Sequence, residues 1–170
     1  MEKEFSRRSF LKMGTTAAAA MAVSPSLLMG KEKKDKKAAP QPLDRKLKIL
    51  AVGIGGRGAS VLRGLETEDI IGLCDVDWKY AAHIFERYPK AKRYNDYRVM
   101  FKEMLDEADA VVVATADHTH AIIAAEAIAA GKHVYVEKPL THTVYESRLL
   151  TKLAAKHKVA TQMGNQGASE

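Results

Sequence analysis

A glycine-rich segment and an aspartate that follows it are the residues of this 170-residue chain best suited to hold a phosphate-containing ligand. Residues 53–58 read GIGGRG, a G-x-G-x-x-G loop, and Asp75 lies 22 residues after Gly53. In such a loop the first glycine permits a tight turn and the second lets the backbone approach a pyrophosphate. The third lets a helix pack closely on a sheet. The pattern therefore predicts a dinucleotide site.

The same pattern indicates which dinucleotide is bound and which residues contact it. We expect contacts from Gly53, Gly55, Gly56, Arg57, Gly58 and Asp75. Asp75 can accept hydrogen bonds from both hydroxyls of an adenosine ribose and would repel a 2′-phosphate, which favours NAD over NADP. Arg57 keeps NADP open as an alternative, because its guanidinium could bond to a 2′-phosphate.

The elements that position these residues are indicated by apolar runs and helix signals. Strands are predicted at residues 48–52, 69–74, 92–94, 110–115, 133–137 and 159–163. Helices are predicted at residues 57–65, 77–88, 97–105, 118–130 and 144–157, the third capped by Asp96 and the last opened by a Thr143–Glu146 capping box. The glycine-rich loop thus follows a strand and opens a helix.

Short strands that alternate with helices predict an α/β fold with a doubly wound parallel sheet, the Rossmann arrangement, of six strands. Parallel neighbours need crossover connections, and these are normally helical. In such a sheet a ligand binds in the crevice at the carboxyl ends of the strands. Lys138, just after the fifth predicted strand, would point into that crevice. There it could hold a substrate hydroxyl or remove its proton, although it could also be an ordinary surface cation.

Three further segments resemble a known family. Residues 114–120 read ATADHTH, residues 129–139 read AAGKHVYVEKP, and residues 162–167 read QMGNQG. Together they are similar to the glucose-fructose oxidoreductase and inositol dehydrogenase family, Gfo/Idh/MocA, and the resemblance extends from about Leu47 to the C-terminus. Ala116 stands where the family commonly has proline.

The resemblance implies roles for particular residues. Lys138 would lie beside the nicotinamide and the substrate as the catalytic residue, the Lys138–Pro139 bond would be cis, and His120 would line the cofactor cleft. The further cofactor-binding positions that we expect on this basis are Thr115, Glu137, Pro139, Asn165 and Gln166.

The resemblance also implies a second α+β domain, with a mostly antiparallel sheet, that supplies the substrate pocket and usually an acid or base histidine. We expect such a domain to be absent from this chain. We therefore expect a fragment or truncated reading frame that binds cofactor but does not turn over substrate alone, with an exposed sheet face that makes it prone to association. Homo-oligomer formation by a full-length protein is left open.

Three functions remain in competition at this point. The first is an NAD(P)-dependent oxidoreductase that transfers hydride between the nicotinamide and a sugar, polyol or related hydroxyl compound. The second is a glycosidase that uses bound NAD for transient oxidation, as some relatives of the family do. The third is a non-catalytic sugar or nucleotide sensor on the same fold. Lys138 favours the two enzymes over the sensor.

The start of the chain predicts export. Residues 6–12 read SRRSFLK, a twin-arginine motif, and residues 13–29 are too short and too weakly apolar for a membrane span. We assign residues 1–30 to a twin-arginine signal peptide, 31–46 to a charged linker and 47–170 to the Rossmann domain. The twin-arginine translocase would be a partner, and the destination would be the periplasm or beyond. A helix opening a cytosolic domain is the alternative. Residues 20–22 read AMA and fit a signal-peptidase cleavage site. No cysteine lies near them, which excludes a lipoprotein.

Charge, cysteine and histidine usage remove other classes of function. Residues 1–46 carry 11 Lys and Arg against 5 Asp and Glu, while residues 47–170 carry 16 against 16. The folded region is therefore neutral, and we predict no nucleic-acid partner. Cys74, in an apolar run, is expected to be a small buried hydrophobe. Asp117, His118 and His120 cluster in sequence, but zinc needs three or four converging ligands, and no metal is predicted.

Overall fold

Strands and helices alternate along the chain in the computed structural model, which describes residues 44–165. The strands are β1 (Lys48–Val52), β2 (Asp69–Cys74), β3 (Lys92–Tyr94), β4 (Ala110–Val113), β5 (His133–Glu137) and β6 (Thr161–Gly164). The helices are α1 (Arg57–Arg63), α2 (Ala82–Arg87), α3 (Tyr97–Met104), α4 (His120–Ala129) and α5 (Val144–His157). The predicted signal peptide, most of the predicted linker and Gln166 lie outside the described residues.

The six strands form one sheet in the order β3-β2-β1-β4-β5-β6, and every neighbouring pair is parallel. Strand β1 lies in the middle of the sheet, with β2 and β3 on one side of it. After β3 the chain crosses over, and β4, β5 and β6 form the other side. The crevice for a ligand in this topology lies where the order reverses, at the carboxyl ends of β1 and β4. The predicted fold class is confirmed.

Apolar side chains cover both faces of the sheet. In β1, Leu50 and Val52 join one core cluster, whereas Ile49 and Ala51 join a second cluster on the opposite face. The first cluster packs against α3, α4 and α5, and the second against α1 and α2. A strand buried on both sides must be apolar throughout, which explains the short uninterrupted runs that predicted the strands.

Of the predicted boundaries that differ from the structure, the starts of the second helix and of the last strand are explained by local polar contacts. The second helix begins at Ala82 rather than at residue 77, since Asp77 accepts a hydrogen bond from the backbone of Tyr80 and holds a turn there. The last strand begins at Thr161 rather than at residue 159, because Lys158 ends α5 in a left-handed conformation and Val159 still bonds back to the helix. The Thr143–Glu146 capping box is present as predicted.

Residues at the end of the predicted linker contact the domain. Arg45 donates hydrogen bonds to both carboxylate oxygens of Asp109, at 2.6 and 2.7 Å, and the backbone N–H of Lys48 donates to the same carboxylate. These donors hold the pKa of Asp109 well below its usual range. Asp109 thereby ties the entry of β1 to the turn before β4. Between residues 44 and 165, the helices are all too short or too polar to cross a membrane.

Helix α1 lies very close to the end of β1, and glycine at residue 58 allows this approach. A Cβ at this position would overlap the carbonyl oxygen of Gly53. Gly58→Ala should therefore lower the free energy of unfolding by about 1 to 3 kcal/mol, because backbone has to move to make room. Urea unfolding of the purified chain measures the change.

Gly64→Ala is the matched control for this prediction. Gly64 has helical backbone angles, and an added Cβ would meet only the carbonyl oxygen of Val61 at 3.4 Å. Alanine there should be neutral or stabilise by a few tenths of a kcal/mol, up to about 1. Equal losses of unfolding free energy in Gly58→Ala and Gly64→Ala would contradict the close approach of α1 to β1.

Candidate functional site

The glycine-rich loop between β1 and α1 folds as a turn held by β2. Gly53 has a φ of +80°, a left-handed conformation that favours glycine, and its N–H donates to the carbonyl of Cys74. The N–H groups of Ile54 and Gly55 both donate to Oδ2 of Asp75, at 2.8 and 2.9 Å. The loop and Asp75 therefore form one rigid arrangement, as the predicted dinucleotide site requires.

Asp75 is more fully engaged with the protein than the sequence pattern indicates. Besides the two bonds to Oδ2, its Oδ1 accepts from the N–H of Asp77 at 3.0 Å. An ionised carboxylate offers about four acceptor positions, so about one remains for a ribose hydroxyl. The remaining contact is compatible with NAD, while the negative charge still opposes a 2′-phosphate.

A cleft of about 850 Å³ opens beside the loop, at the carboxyl ends of β1, β2 and β4. Among the predicted cofactor-binding residues, Gly53, Gly56, Asp75 and Thr115 line it. Sequence reasoning missed its apolar lining, which is formed by Val76, Tyr80, Val99 and Ile122, all exposed. Exposed apolar side chains that share one concave surface suit an adenosine ring system.

Arg57 does not lie on the ribose side of the loop. Its Nε donates to Oε1 of Glu137 at 3.2 Å, and Glu137 is buried with 4% of its side chain exposed. The hydroxyl of Tyr135 donates to the same oxygen, and the backbone N–H of Lys138 contacts Oε2. A buried carboxylate requires such partners, and here they connect the phosphate-binding loop to the end of β5.

His120 is buried beneath the crevice instead of lining the cleft. Its Nδ1 lies 2.7 Å from the carbonyl oxygen of Pro139, and its Nε2 lies 3.0 Å from that of Thr115. A neutral imidazole can donate one of these hydrogen bonds and an imidazolium can donate both. The ring thereby connects the turn after β4 to the segment that carries Lys138.

The remaining predicted residues lie near the end of β5 and β6. Lys138 and Pro139 are exposed, and the bond between them is cis, as the family resemblance implied. Asn165 is exposed just after β6, which pairs with β5 so that Glu137 faces Gly164. Lys138 follows the carboxyl end of β5, at the same edge of the sheet as the glycine-rich loop, but it does not line the cleft of about 850 Å³.

Cys74 behaves as a structural group. Cys74 is 2% exposed, and burial raises the pKa of its thiol to about 12, with smaller contributions from the carboxylates of Asp75 and Asp96. Such a thiol is not a nucleophile at neutral pH, so the expectation of a buried hydrophobe is confirmed. In residues 44–165, we find no group of three His, Cys, Asp or Glu side chains placed to hold a metal ion.

The residues present fit an NAD molecule. The glycine-rich loop has no room for side chains at Gly53, Gly55 and Gly58, because an added Cβ would overlap neighbouring atoms of the protein. Free N–H groups at the start of α1 suit a pyrophosphate, Asp75 suits the ribose, and the apolar cleft suits the adenine. Fold and site together define a dinucleotide-binding domain of the Rossmann class.

Comparison with known proteins identifies the family. Residues 47–165 match the Gfo/Idh/MocA oxidoreductase family with an NAD-binding Rossmann fold, and the chain belongs to that family. Residues 4–24 match the signal sequence of the twin-arginine translocation pathway. The chain is therefore a member of an NAD-binding oxidoreductase family and carries a signal for export.

Individual relatives have several functions. A glycosyl hydrolase family 109 protein of Shewanella pealeana is 29% identical over 161 residues, which cover 84% of this chain and 35% of that protein. Inositol 2-dehydrogenase of Salmonella paratyphi B is 32% identical over 102 residues, covering 57% of this chain and 30% of the relative. Among solved structures, the crystal structure of GenD2 from gentamicin A biosynthesis in complex with NAD superposes with a TM-score of 0.62. The aligned part is 30% identical in sequence and covers 74% of this chain and 37% of the GenD2 chain. The chain spans about one third of the length of these proteins.

The pairing of Arg57 with a buried carboxylate can be tested by unfolding. Arg57→Gln should lower the free energy of unfolding by about 1 to 3 kcal/mol, because Glu137 loses a charged donor. In the double variant with Glu137→Gln the loss should be smaller than the sum of the two single losses, because the buried charge is gone. Urea titrations of the wild type, the two single variants and the double variant give the free energy of coupling between Arg57 and Glu137.

Arg98→Gln is the matched control for this pair. Arg98 bonds to Asp96 on the surface, with 72% of its side chain exposed, so its loss should cost less than about 1 kcal/mol. Additive effects of Arg57→Gln and Glu137→Gln, or a loss in Arg98→Gln as large as in Arg57→Gln, would refute a special role of the Arg57–Glu137 pair.

Proposed function

We propose that this chain is the cofactor-binding part of an exported NAD-dependent oxidoreductase that acts on a sugar, a polyol or a related hydroxyl compound. The observation that carries the proposal is the placement of an accessible lysine, Lys138, at the same edge of the sheet as a glycine loop bonded to Asp75. The inositol dehydrogenase relative supports a hydroxyl substrate.

The chemistry assigned to Lys138 is binding and proton transfer at a substrate hydroxyl. As an ammonium it donates a hydrogen bond to the hydroxyl oxygen and orients it; as a neutral amine it removes the hydroxyl proton. A bound NAD would accept the hydride that leaves the carbon bearing this hydroxyl. Glu137 and His120 hold the backbone on either side of Lys138, through its N–H and through the carbonyl of Pro139.

The test uses protein expressed from its complete gene, incubated with NAD and a panel of sugars and polyols while absorbance of the reduced nicotinamide is followed. Lys138→Ala should lower the turnover number by about 100-fold or more with NAD affinity retained, because proton transfer is lost. Lys132→Ala is the control, since Lys132 precedes β5 at the opposite end of the strand and bonds to the carbonyl of Asp106. A rate unchanged by Lys138→Ala would refute the role of Lys138, whereas NAD binding by the wild type without turnover of any compound in the panel would favour a sensor on the same fold.

A glycosidase that uses NAD for transient oxidation is the second candidate, favoured by the long alignment with the family 109 glycosyl hydrolase. Such an enzyme returns the hydride to its substrate, so the nicotinamide shows no net reduction. Aryl glycosides in the same panel separate the two enzymes: release of the aryl alcohol without accumulation of reduced nicotinamide identifies the glycosidase.

Export to the periplasm through the twin-arginine translocase is proposed from residues 4–24. This route carries folded proteins, so a tightly held cofactor would travel with the protein. Replacement of both Arg7 and Arg8 by lysine should leave precursor in the cytoplasm, as judged by cell fractionation and immunoblotting. Lys3→Arg, outside the arginine pair, should be exported normally. An undiminished periplasmic yield of the double variant would refute the proposed route.

A further inference from the structure

The loop between β2 and α2, residues 75–81, is folded by its own aspartates. The N–H of Asp77 donates to Oδ1 of Asp75 at 3.0 Å, and the N–H of Tyr80 donates to Oδ1 of Asp77 at 2.9 Å. The N–H of Ala81 donates to the carbonyl of Asp77. These bonds hold the backbone of the loop that carries Tyr80, and they leave the N–H groups of Asp77 and Tyr80 already bonded within the protein.

The ring of Tyr80 lies against the glycine-rich loop, next to Asp75. A Cβ at Gly55 would overlap Cδ1 of Tyr80 and would lie 2.9 Å from its Cε1 and 3.4 Å from Oδ2 of Asp75. A Cβ at Gly56 would meet the Tyr80 hydroxyl at 3.5 Å. Tyr80 also lines the cleft, with 61% of the residue exposed. The aromatic ring and the ribose-binding carboxylate therefore flank the same side of the loop.

A 2′-phosphate on the adenosine ribose would extend past Asp75 toward this loop and would need cations or free N–H groups. Arg57 and Arg98 are already paired, and Lys79, the one cation within residues 75–81, does not line the cleft. Arg57 bonds to Glu137 at the end of β5, three strand spacings or about 14 Å from β2. Arg98, which lines the cleft, bonds to both carboxylate oxygens of Asp96.

We propose that Tyr80 is a specificity-determining residue that selects NAD over NADP. Its ring occupies the space beside the ribose that a 2′-phosphate would enter, and Asp77 adds a second negative charge there. Selectivity thus comes from an obstructing ring and an unfavourable charge as well as from the attraction of Asp75 for a free hydroxyl. The inference rests on the proposed function in one respect, namely that the cleft holds the adenosine half of a dinucleotide.

Calorimetric titration of the purified chain with NAD and with NADP tests the proposal. For the wild type we expect Kd for NADP to exceed Kd for NAD by about tenfold or more. Tyr80→Ala should reduce this ratio about fivefold or more, and Tyr80→Phe should leave it within about twofold, because the ring and not the hydroxyl obstructs the phosphate. Asp77→Asn should reduce the ratio by a smaller factor.

Val76→Ala is the matched control, since Val76 lies in the same loop, lines the same cleft and is 88% exposed. Because Val76 belongs to the apolar lining that suits the adenosine ring, Val76→Ala should change both affinities by the same factor and leave the ratio of the two Kd values at the wild-type value. A ratio unchanged in Tyr80→Ala, or a Tyr80→Ala variant in which both affinities rise by the same factor, would overturn the proposal and leave NAD binding intact. Failure of the wild-type chain to bind either dinucleotide would instead refute the proposed function itself. Thermal unfolding of each variant confirms that it is folded.

Discussion

The carboxylate of Asp75 accepts hydrogen bonds from the loop after β1 and from the loop after β2, and the geometry of the crevice depends on this one group. Through Ile54 and Gly55 it holds the glycine-rich turn, and through Asp77 it holds the segment that carries Tyr80. A charged acceptor that bonds three backbone donors binds more strongly than neutral contacts would. It also places negative charge where a ribose would lie, so the same interaction shapes the site and selects its ligand.

The other half of the crevice is organised around a second carboxylate, that of Glu137. It is buried, and its contacts with Arg57, Tyr135 and the backbone of Lys138 connect α1, β5 and the segment after β5. Together with His120, which lies against the carbonyl of Pro139, these contacts hold the backbone on both sides of the exposed Lys138. The catalytic candidate is therefore accessible while the backbone around it is held rigidly, an arrangement that favours oriented chemistry.

The two carboxylates lie on opposite sides of the glycine loop, and this separation explains the position of Arg57. An arginine in a phosphate-binding loop could serve a ribose phosphate or a structural anion, and the buried Glu137 attracts it toward β5. The ribose end then carries Asp75, Asp77 and an aromatic ring. Among the charged groups that line the cleft, Arg98 is paired with Asp96, whereas the carboxylate of Asp75 is bonded to backbone N–H groups.

Much of the fold could be predicted from sequence, because strand and helix signals are local. The predicted bounds of β1, β2, β3 and β5 match the structure, and so does the α5 capping box, because each depends on residues within one short segment. Differences at α2 and β6 arise from turn contacts that compete with regular structure at their starts.

The chemistry of the site was determined at two levels. Sequence alone identified the glycine-rich loop, Asp75 and Lys138, since spacing and residue type are sufficient to recognise them. Only the tertiary structure decided that Arg57 pairs with Glu137, that His120 is buried against Pro139, and that Tyr80 covers Gly55. Those contacts join residues that are far apart in the sequence, 80 positions for Arg57 and Glu137 and 19 for His120 and Pro139. No local pattern encodes such partners, because they meet only when parallel strands bring their carboxyl ends to one edge of the sheet.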